Sequence, residues 1–186
     1  MRKIIVFNLI SIDGFFAGSD GNIDWHNVDD EFNTFAVEQT KTFRTILFGK
    51  TTYKLFEDYW PAALTDPATS PDDRQIAQTI EDIEKIVFSK SIQDVSWKNT
   101  KLLHDVDPEE IKHWKESEGQ DMAIFGSGTI VQQLANIGLI DEYRLLVNPV
   151  ILGEGKPLFK NVHKLDLKLI NTRTFENGNV LLTYIP

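Results

Sequence analysis

The sequence predicts an α/β fold: a mixed, mainly parallel sheet flanked by helices, with an antiparallel hairpin at its C-terminal end. The segment from Lys3 to Ile12 is nearly continuous in apolar residues, which is typical of a central strand buried on both faces. Strand-like and helix-like patterns alternate over the first two-thirds of the chain, as in a parallel sheet. The sequence ENGN, Glu176 to Asn179, separates two strand-like runs and is a strong hairpin signal.

Short apolar or β-branched runs predict the remaining strands. They are Thr45 to Phe48, Lys85 to Phe88, Leu102-Leu103, Met122 to Phe125, Asp141 to Val147, Leu165 to Phe175 and Val180 to Ile185. Apolar residues at helical spacing predict helices, supported by acidic residues in the first turn of the one at Asp29 and by a proline near the start of the one at Pro108. The predicted helices are Asp29 to Lys41, a helix that carries Tyr53 and Phe56 and ends before Trp60-Pro61, Arg74 to Asp82, Pro108 to Glu118 and Thr129 to Ile137. The Pro-, Asp- and Thr-rich stretch from Ala62 to Asp73 is predicted as a loop.

The clearest strand, turn and helix unit begins at Asp121. Gly126-Ser127-Gly128 ends the strand, and a helical pattern follows from Thr129. A helix start offers free backbone N–H groups and a dipole that favours an anion, and glycines let a phosphate approach the backbone. A tight turn that binds nothing explains the same residues equally well.

Composition narrows the function classes. The formal net charge of −9 argues against a nucleic-acid or anionic-membrane surface, because both need clustered Lys and Arg. The absence of Cys excludes disulfides and thiolate chemistry, and the four His residues show no metal-ligand spacing, so we predict no metal site. We interpret the N-terminal apolar run as a core strand and not a signal peptide, and no run is long enough to span a bilayer. We therefore expect one cytoplasmic domain over residues 1–186.

Five motifs follow one another along the chain. They are SIDG (Ser11 to Gly14), GKTTY (Gly49 to Tyr53), SKS (Ser89 to Ser91), FGSG (Phe125 to Gly128) and GLIDEYRLLVNPVILGEGKPLF (Gly138 to Phe159). Together they resemble the dihydrofolate reductase-like superfamily, most closely the reductase domain of the bifunctional riboflavin-biosynthesis deaminase-reductase. The resemblance covers nearly the whole chain. It implies a three-layer dihydrofolate reductase-like fold that binds NADPH across the C-terminal ends of the strands.

The resemblance assigns three loops to NADPH. The pyrophosphate would contact Gly49, Lys50, Thr51 and Thr52. The adenosine 2′-phosphate would face Ser89, Lys90 and Ser91. The pyrophosphate and nicotinamide side would pack on Gly126, Ser127, Gly128 and Thr129. The family more often has Arg at position 50, and Lys keeps the charge without the bidentate fork. From the residues alone, GKTTY is also explained as a helix start and SKS as a solvated turn.

Hydride addition to a C=N or C=O group calls for a proton donor. Asp13 is the first candidate, because it follows the buried first strand at the edge where such sheets bind ligands. An Asp-Gly turn explains it equally well. Glu31 and Asp30 are second candidates, although acidic residues in the first turn of a helix need no further role.

Five further side chains are candidates for the substrate. Four are aromatic and could stack on a planar heterocycle, although aromatic residues at such spacing more often belong to the core. They are Trp25, Phe32, Tyr53 and Trp60. Asn8 is a polar residue in a buried strand and needs a backbone, water or ligand partner.

These observations favour a stand-alone NADPH-dependent reductase of a small planar heterocyclic or carbonyl substrate, since the chain has no room for a zinc deaminase domain. Such an enzyme would be similar to 5-amino-6-(5-phosphoribosylamino)uracil reductase or dihydrofolate reductase. A non-catalytic NADPH- or nucleotide-binding module and a purely structural scaffold are the alternatives. We also expect a homodimer, because family members commonly pair and the apolar region from Leu145 to Leu152 needs cover.

Overall fold

The computed structural model describes residues 1–186 and contains five helices and ten strands. The helices are α1 (Asp30–Thr40), α2 (Lys50–Ala63), α3 (Pro71–Asp82), α4 (Pro108–Glu116) and α5 (Gly128–Asn136). The strands are β1 (Ile4–Ser11), β2 (Phe15–Ala17), β3 (Phe43–Gly49), β4 (Glu84–Phe88), β5 (Thr100–Leu103), β6 (Asp121–Phe125), β7 (Glu142–Asn148), β8 (Lys156–Pro157), β9 (Lys168–Thr174) and β10 (Val180–Ile185).

Eight strands form one sheet in the order β5-β4-β3-β6-β1-β7-β10-β9. The first six of these are parallel, and β10 is antiparallel to both β7 and β9. The predicted fold class is therefore confirmed. Because β6 inserts between β3 and β1, the carboxyl ends of these three strands lie side by side, which is where open α/β sheets bind ligands.

Helices cover both faces of the sheet. Ile4 and Val6 of β1 belong to a core cluster with Ile111 of α4 and Val131 of α5. Phe7 points to the opposite face, as the two-residue period of a strand requires, and packs in a cluster with Phe32 of α1. Helices α2 and α3 cover the β3 and β4 part of that same face. The result is a three-layer structure.

Two predicted helix boundaries were wrong. Helix α2 continues through Pro61 to Ala63, because a proline in the last turn removes only one hydrogen bond at a partly exposed position. Helix α3 begins at Pro71 and not at Arg74, because the Ser70 hydroxyl accepts a hydrogen bond from the Asp73 N–H and caps the helix.

The strand predictions differ from the structure in two places. Strand β9 begins at Lys168, three residues later than expected. The ribbon of β2 and β8 was not predicted, because strands of three and two residues are too short to show a period. The longest helix has 14 residues, and no helix combines the length and hydropathy needed to cross a membrane.

Candidate functional site

Two helices begin side by side at the carboxyl edge of the sheet. Strand β3 leads into α2 at Gly49, and its parallel neighbour β6 leads into α5 through Gly126 and Ser127. The Gly49 N–H donates to the Ser127 hydroxyl at 2.8 Å, and the Ser127 N–H donates to the Thr52 hydroxyl at 2.9 Å. We call residues 49–52 and 126–129 the paired helix starts. The structure thus brings the GKTTY and GSGT segments into direct contact.

Neither of the paired helix starts has a side-chain cap or an acidic residue in its first turn. Helices α1, α3 and α4 each have a side-chain cap and two acidic residues there. An uncapped start leaves backbone N–H groups and the positive end of the helix dipole available to an anion. The chemistry of this donor set fits a pyrophosphate group, as the resemblance implies.

The glycines of the turn after β6 are required by packing within the protein. Gly126 has a φ of +56°, and an added Cβ would lie 2.9 Å from the Thr52 hydroxyl oxygen. At Gly128 an added Cβ would lie 2.8 Å from the Phe16 ring. The expectation that these two glycines make room for a phosphate is therefore not supported, because the protein's own side chains fill that space. Gly49 differs, since its added Cβ would meet nothing closer than 3.5 Å.

Asn8 supports the same turn. Its Oδ1 accepts a hydrogen bond from the Gly126 N–H at 2.6 Å, and its Nδ2 donates to the Gly126 carbonyl at 3.5 Å. The side chain is buried, and both of its polar atoms are occupied. The partner that this polar strand residue needed is thus backbone, and the geometry does not support a substrate contact.

The loop after β4 meets the start of α2. The Lys50 ammonium donates to the Ser91 hydroxyl at 3.0 Å. The buried Ser89 hydroxyl accepts from the N–H groups of Ser91 and Ile92, so it shapes the turn. Lys90 is exposed and pairs with Asp105 at 2.6 Å. Lys50, Lys90 and Ser91 therefore form a positively charged, hydrogen-bonding surface beside the paired helix starts.

Two of the three candidate acids, Asp13 and Glu31, bond to backbone, whereas Asp30 is exposed in the first turn of α1. The exposed Asp13 carboxylate accepts from the N–H groups of Leu152 at 3.2 Å and Gly153 at 2.8 Å. The Ser11 hydroxyl and these N–H groups lower the pKa of Asp13. The pKa of Glu31 is also lowered, first by the Glu176 N–H and then by Arg173. Both carboxyls are thus stabilised as anions, which opposes the predicted role as proton donors.

The predicted aromatic contacts have different environments. Tyr53 is fully buried, donates its hydroxyl to Glu57 at 2.6 Å, and has a pKa raised above its usual range by burial. Phe32 is also buried, in the cluster beneath α1. The geometry therefore does not support ring stacking on a substrate at either position. Trp25 is half-buried and packs edge-on against His26, with ring centroids 4.5 Å apart.

An aromatic surface that the sequence did not indicate lies between α1 and α2. Both helices pack on α3 but make few contacts with each other, and Phe125 at the end of β6 is partly exposed between them. The Phe125 ring is stacked near Phe56 of α2 at 6.2 Å, and Trp60 packs edge-on against Phe56 at 6.0 Å. We call Phe56, Trp60 and Phe125 the aromatic surface. Its position next to the paired helix starts suits a planar ring.

Three buried side-chain atoms have no hydrogen-bond partner, and they belong to one region. They are Nε1 of Trp25, Nε2 of His26 and Oδ1 of Asn179. The Asn179 amide also donates to the Asn27 carbonyl at 2.6 Å, which ties the C-terminal hairpin to this segment. Burial lowers the pKa of His26 to about 4, so the ring is neutral at pH 7. Buried polar atoms without partners usually bind water or a ligand.

A model of the RibD C-terminal domain family matches residues 2–181. The chain belongs to this family. The Bacillus subtilis (strain 168) uncharacterized protein YyaP is 33% identical over 184 residues, which are 98% of this chain and 94% of YyaP. The predicted resemblance is thereby confirmed.

Two solved structures share the fold of this RibD C-terminal domain. The deaminase and 5-amino-6-(5-phosphoribosylamino)uracil reductase of Thermotoga maritima has a TM-score of 0.69 and 15% identity, covering 100% of this chain and 56% of that one. Dihydrofolate reductase of Enterococcus faecalis, complexed with NADP(H), has a TM-score of 0.65 and 18% identity, covering 98% and 95%. The dihydrofolate reductase-like fold is confirmed, and the family supports a reductase-type function.

Proposed function

We propose that the protein is an NADPH-dependent reductase of a small planar heterocyclic or carbonyl substrate. The observation that carries this proposal is the pair of uncapped helix starts, joined by hydrogen bonds and bordered by the Lys50 and Lys90 ammonium groups. In a chain of net charge −9, a cationic edge with free N–H donors suits a phosphorylated dinucleotide.

Each loop has a proposed part in holding the cofactor. The N–H groups of Lys50, Thr51 and Thr52 and the two threonine hydroxyls would bind pyrophosphate oxygens, with Lys50 as the counter-charge. The Gly49 N–H takes no part, because it already donates to the Ser127 hydroxyl. Lys90 and Ser91 would face the adenosine phosphate, and Ser127 to Thr129 would lie on the nicotinamide side. Bound NADPH would supply the hydride, while the protein orients the ring and the substrate.

The aromatic surface is the proposed substrate platform. Phe125 and Phe56 would pack against a flat ring and keep water from the reacting face. Since Asp13 and Glu31 are stabilised as anions, we propose that the proton reaches the product from water and not from either carboxyl.

That Asp13 and Glu31 are held as anions favours one alternative, a nucleotide-binding module without turnover. Fluorescence titration with NADPH and NADH tests the shared binding step, and loss of NADPH absorbance with a panel of pterins, pyrimidinones and carbonyl compounds tests turnover. NADPH binding with oxidation by one panel member supports the reductase. Binding without oxidation across the panel favours the alternative, and no binding of either dinucleotide contradicts both.

We also propose a homodimer, on grounds that differ from the sequence argument. Leu145 and Leu146 are already buried within the chain. The edge strand β9 instead has Leu169 and Ile170 each 48% exposed and leaves one row of backbone groups unpaired. Light scattering over a concentration series tests the proposal, and a monomer at every concentration would contradict it.

A further inference from the structure

The end of β5 lies beside the end of β4, and the pairing of the two strands continues past the sheet. The last register pair is Phe88 with Leu103, and the Ser89 N–H then donates to the Leu103 carbonyl at 2.8 Å. The next residue, His104, places its Nδ1 3.0 Å from the Ser89 carbonyl. Backbone pairing therefore sets Asp105 opposite Lys90, and their 2.6 Å ion pair follows from the register of two strands.

Lys90 is one of two ammonium groups at this position. Lys50, at the start of α2, reaches the Ser91 hydroxyl, so the loop after β4 is joined to the first turn of an uncapped helix. An anion bound here would meet Lys90, Lys50 and Ser91 together. It would also meet Asp105, whose carboxylate has the same sign as the anion and already holds one of the two cations.

We infer that Asp105 weakens the selectivity of the protein for a phosphate on the adenosine ribose. The inference rests on the proposed binding of NADPH. To bind that phosphate, Lys90 exchanges the Asp105 carboxylate for a phosphate oxygen, and Asp105 then repels the bound phosphate. NADH has no phosphate at this position and does not require the exchange. Asp105 thus lowers the preference for NADPH over NADH.

The expected change in nucleotide affinity is small, because both side chains of the Lys90–Asp105 ion pair are exposed to solvent. Lys90 and Asp105 are 77% and 70% exposed in their side chains, so their interaction is weakened by water and salt. Release of such a pair corresponds to roughly a two- to fivefold change in affinity. The effect falls as ionic strength rises, because the Debye length shortens.

The experiment measures dissociation constants by calorimetry for NADPH, NADH, adenosine 2′,5′-bisphosphate and adenosine 5′-monophosphate. The proteins are wild type, Asp105→Asn, Lys90→Met and the double variant. Asp166→Asn is the matched control, because it removes the same charge from another exposed pair, with Lys164 at 3.1 Å. Thermal melting confirms that each variant is folded.

Asp105→Asn is expected to tighten NADPH and the 2′,5′-bisphosphate about two- to fivefold and to leave NADH and the monophosphate unchanged. Lys90→Met should weaken the two 2′-phosphorylated ligands, and the gain from Asp105→Asn should shrink in its background. Equal changes for NADPH and NADH, or the same gain from Asp166→Asn, would overturn the inference while leaving the proposed function intact. Failure of wild type to bind either dinucleotide would overturn both.

Discussion

The five helices fall into two groups that differ at their first turns. Asp29, Ser70 and Asp107 cap α1, α3 and α4, and two acidic residues follow each cap. Helices α2 and α5 have neither, although both start at the carboxyl edge of the sheet, where α/β proteins bind ligands. A side-chain cap contributes about 1 kcal/mol of stability relative to alanine and about a few tenths relative to glycine. This difference between the two groups is the basis for the proposed dinucleotide site at α2 and α5.

Disruption of the contact between the paired helix starts should have the largest effect. In Gly126→Val the valine would have to adopt the positive φ of residue 126, which is unfavourable for a β-branched residue. Its side chain would also collide with Thr52. We expect a loss of about 2–4 kcal/mol of unfolding free energy and at least roughly tenfold weaker NADPH binding. Urea denaturation and calorimetry measure the two effects.

Gly138→Ala is the control for that variant. Gly138 also has a positive φ, +66°, at the other end of α5, but an added Cβ would meet nothing within 4 Å. Gly138→Ala should lower the unfolding free energy by about 1 kcal/mol and leave NADPH binding unchanged. Equal loss of binding in the two variants would show that α5 stability alone controls affinity. If Gly126→Val does not fold, Thr52→Val provides a milder disruption. It removes both the acceptor for the Ser127 N–H and a hydroxyl proposed to bind the pyrophosphate, so unchanged NADPH affinity would contradict the proposed site.

A capping residue at position 49 would make α2 resemble the capped helices α1, α3 and α4. Gly49 has a φ of −87° and a ψ of 167°, which a capping residue can adopt. Gly49→Asp should change the unfolding free energy by only about a few tenths of a kcal/mol, because glycine is itself tolerated at an N-cap. It should weaken NADPH binding roughly tenfold, because the carboxylate accepts from the N–H groups proposed for the anion and repels that anion. Gly49→Asn, a cap without charge, should change the stability similarly with a smaller loss of affinity. Unchanged affinity in Gly49→Asp would exclude α2 from the dinucleotide site.

Removing a cap from the first group should change stability alone. Asp29 accepts a hydrogen bond from the Phe32 N–H at 2.8 Å. Asp29→Ala should lower the unfolding free energy by about 1 kcal/mol, because that N–H loses its partner. Parallel denaturation and NADPH titration check this. A loss of affinity as large as that of Gly49→Asp would remove the distinction between the two groups.

Lowering the pH should weaken the hydrogen bonds that backbone N–H groups donate to the carboxylates of Asp13 and Glu31. The pKa values of Asp13 and Glu31 are lowered in the folded protein. Their contribution to stability is complete above the ordinary carboxyl pKa of about 4 and disappears as the pH falls through the lowered values. The midpoint of urea unfolding should therefore decrease as the pH is lowered. In Asp13→Asn the midpoint should depend slightly less on pH. Asp166→Asn is the control, because the Asp166 carboxylate contacts only Lys164. If this variant reduced the pH dependence of the urea midpoint as much as Asp13→Asn does, the contribution assigned to Asp13 would be contradicted.

Local sequence patterns predicted much of this molecule. The apolar runs located the eight sheet strands, and the turn at Gly126 to Gly128 was identified as a helix start that suits an anion. The assignment of GKTTY to the pyrophosphate came from the family resemblance. The side-chain roles were harder. The polar groups of Asn8, Asp13 and Glu31 suggested substrate chemistry, yet each bonds to backbone more than a hundred residues away in sequence. Tyr53 lies in the motif beside the helix start, but its helical phase turns it into the core.

Lys85 illustrates the same limit inside a correctly predicted strand. Its ammonium is buried, donates to the carbonyls of Ile80, Glu81 and Ile83 at the end of α3, and lies 4.5 Å from the centre of the Trp97 ring. Burial lowers the pKa of Lys85 to about 8. No local pattern distinguishes such a lysine from one on an exposed edge.

The sequence by itself determined the succession of strands and helices and which helices have no acidic residue in the first turn, because both depend on residues within a few positions of one another. Only the tertiary structure decided that the two uncapped starts touch, that Phe125 is exposed between α1 and α2, and that Asp105 faces Lys90. These relations depend on strand order and register, which contacts between distant segments select. Side-chain chemistry can therefore be listed from the sequence, but whether a polar group is free for a ligand depends on partners that only the folded chain supplies.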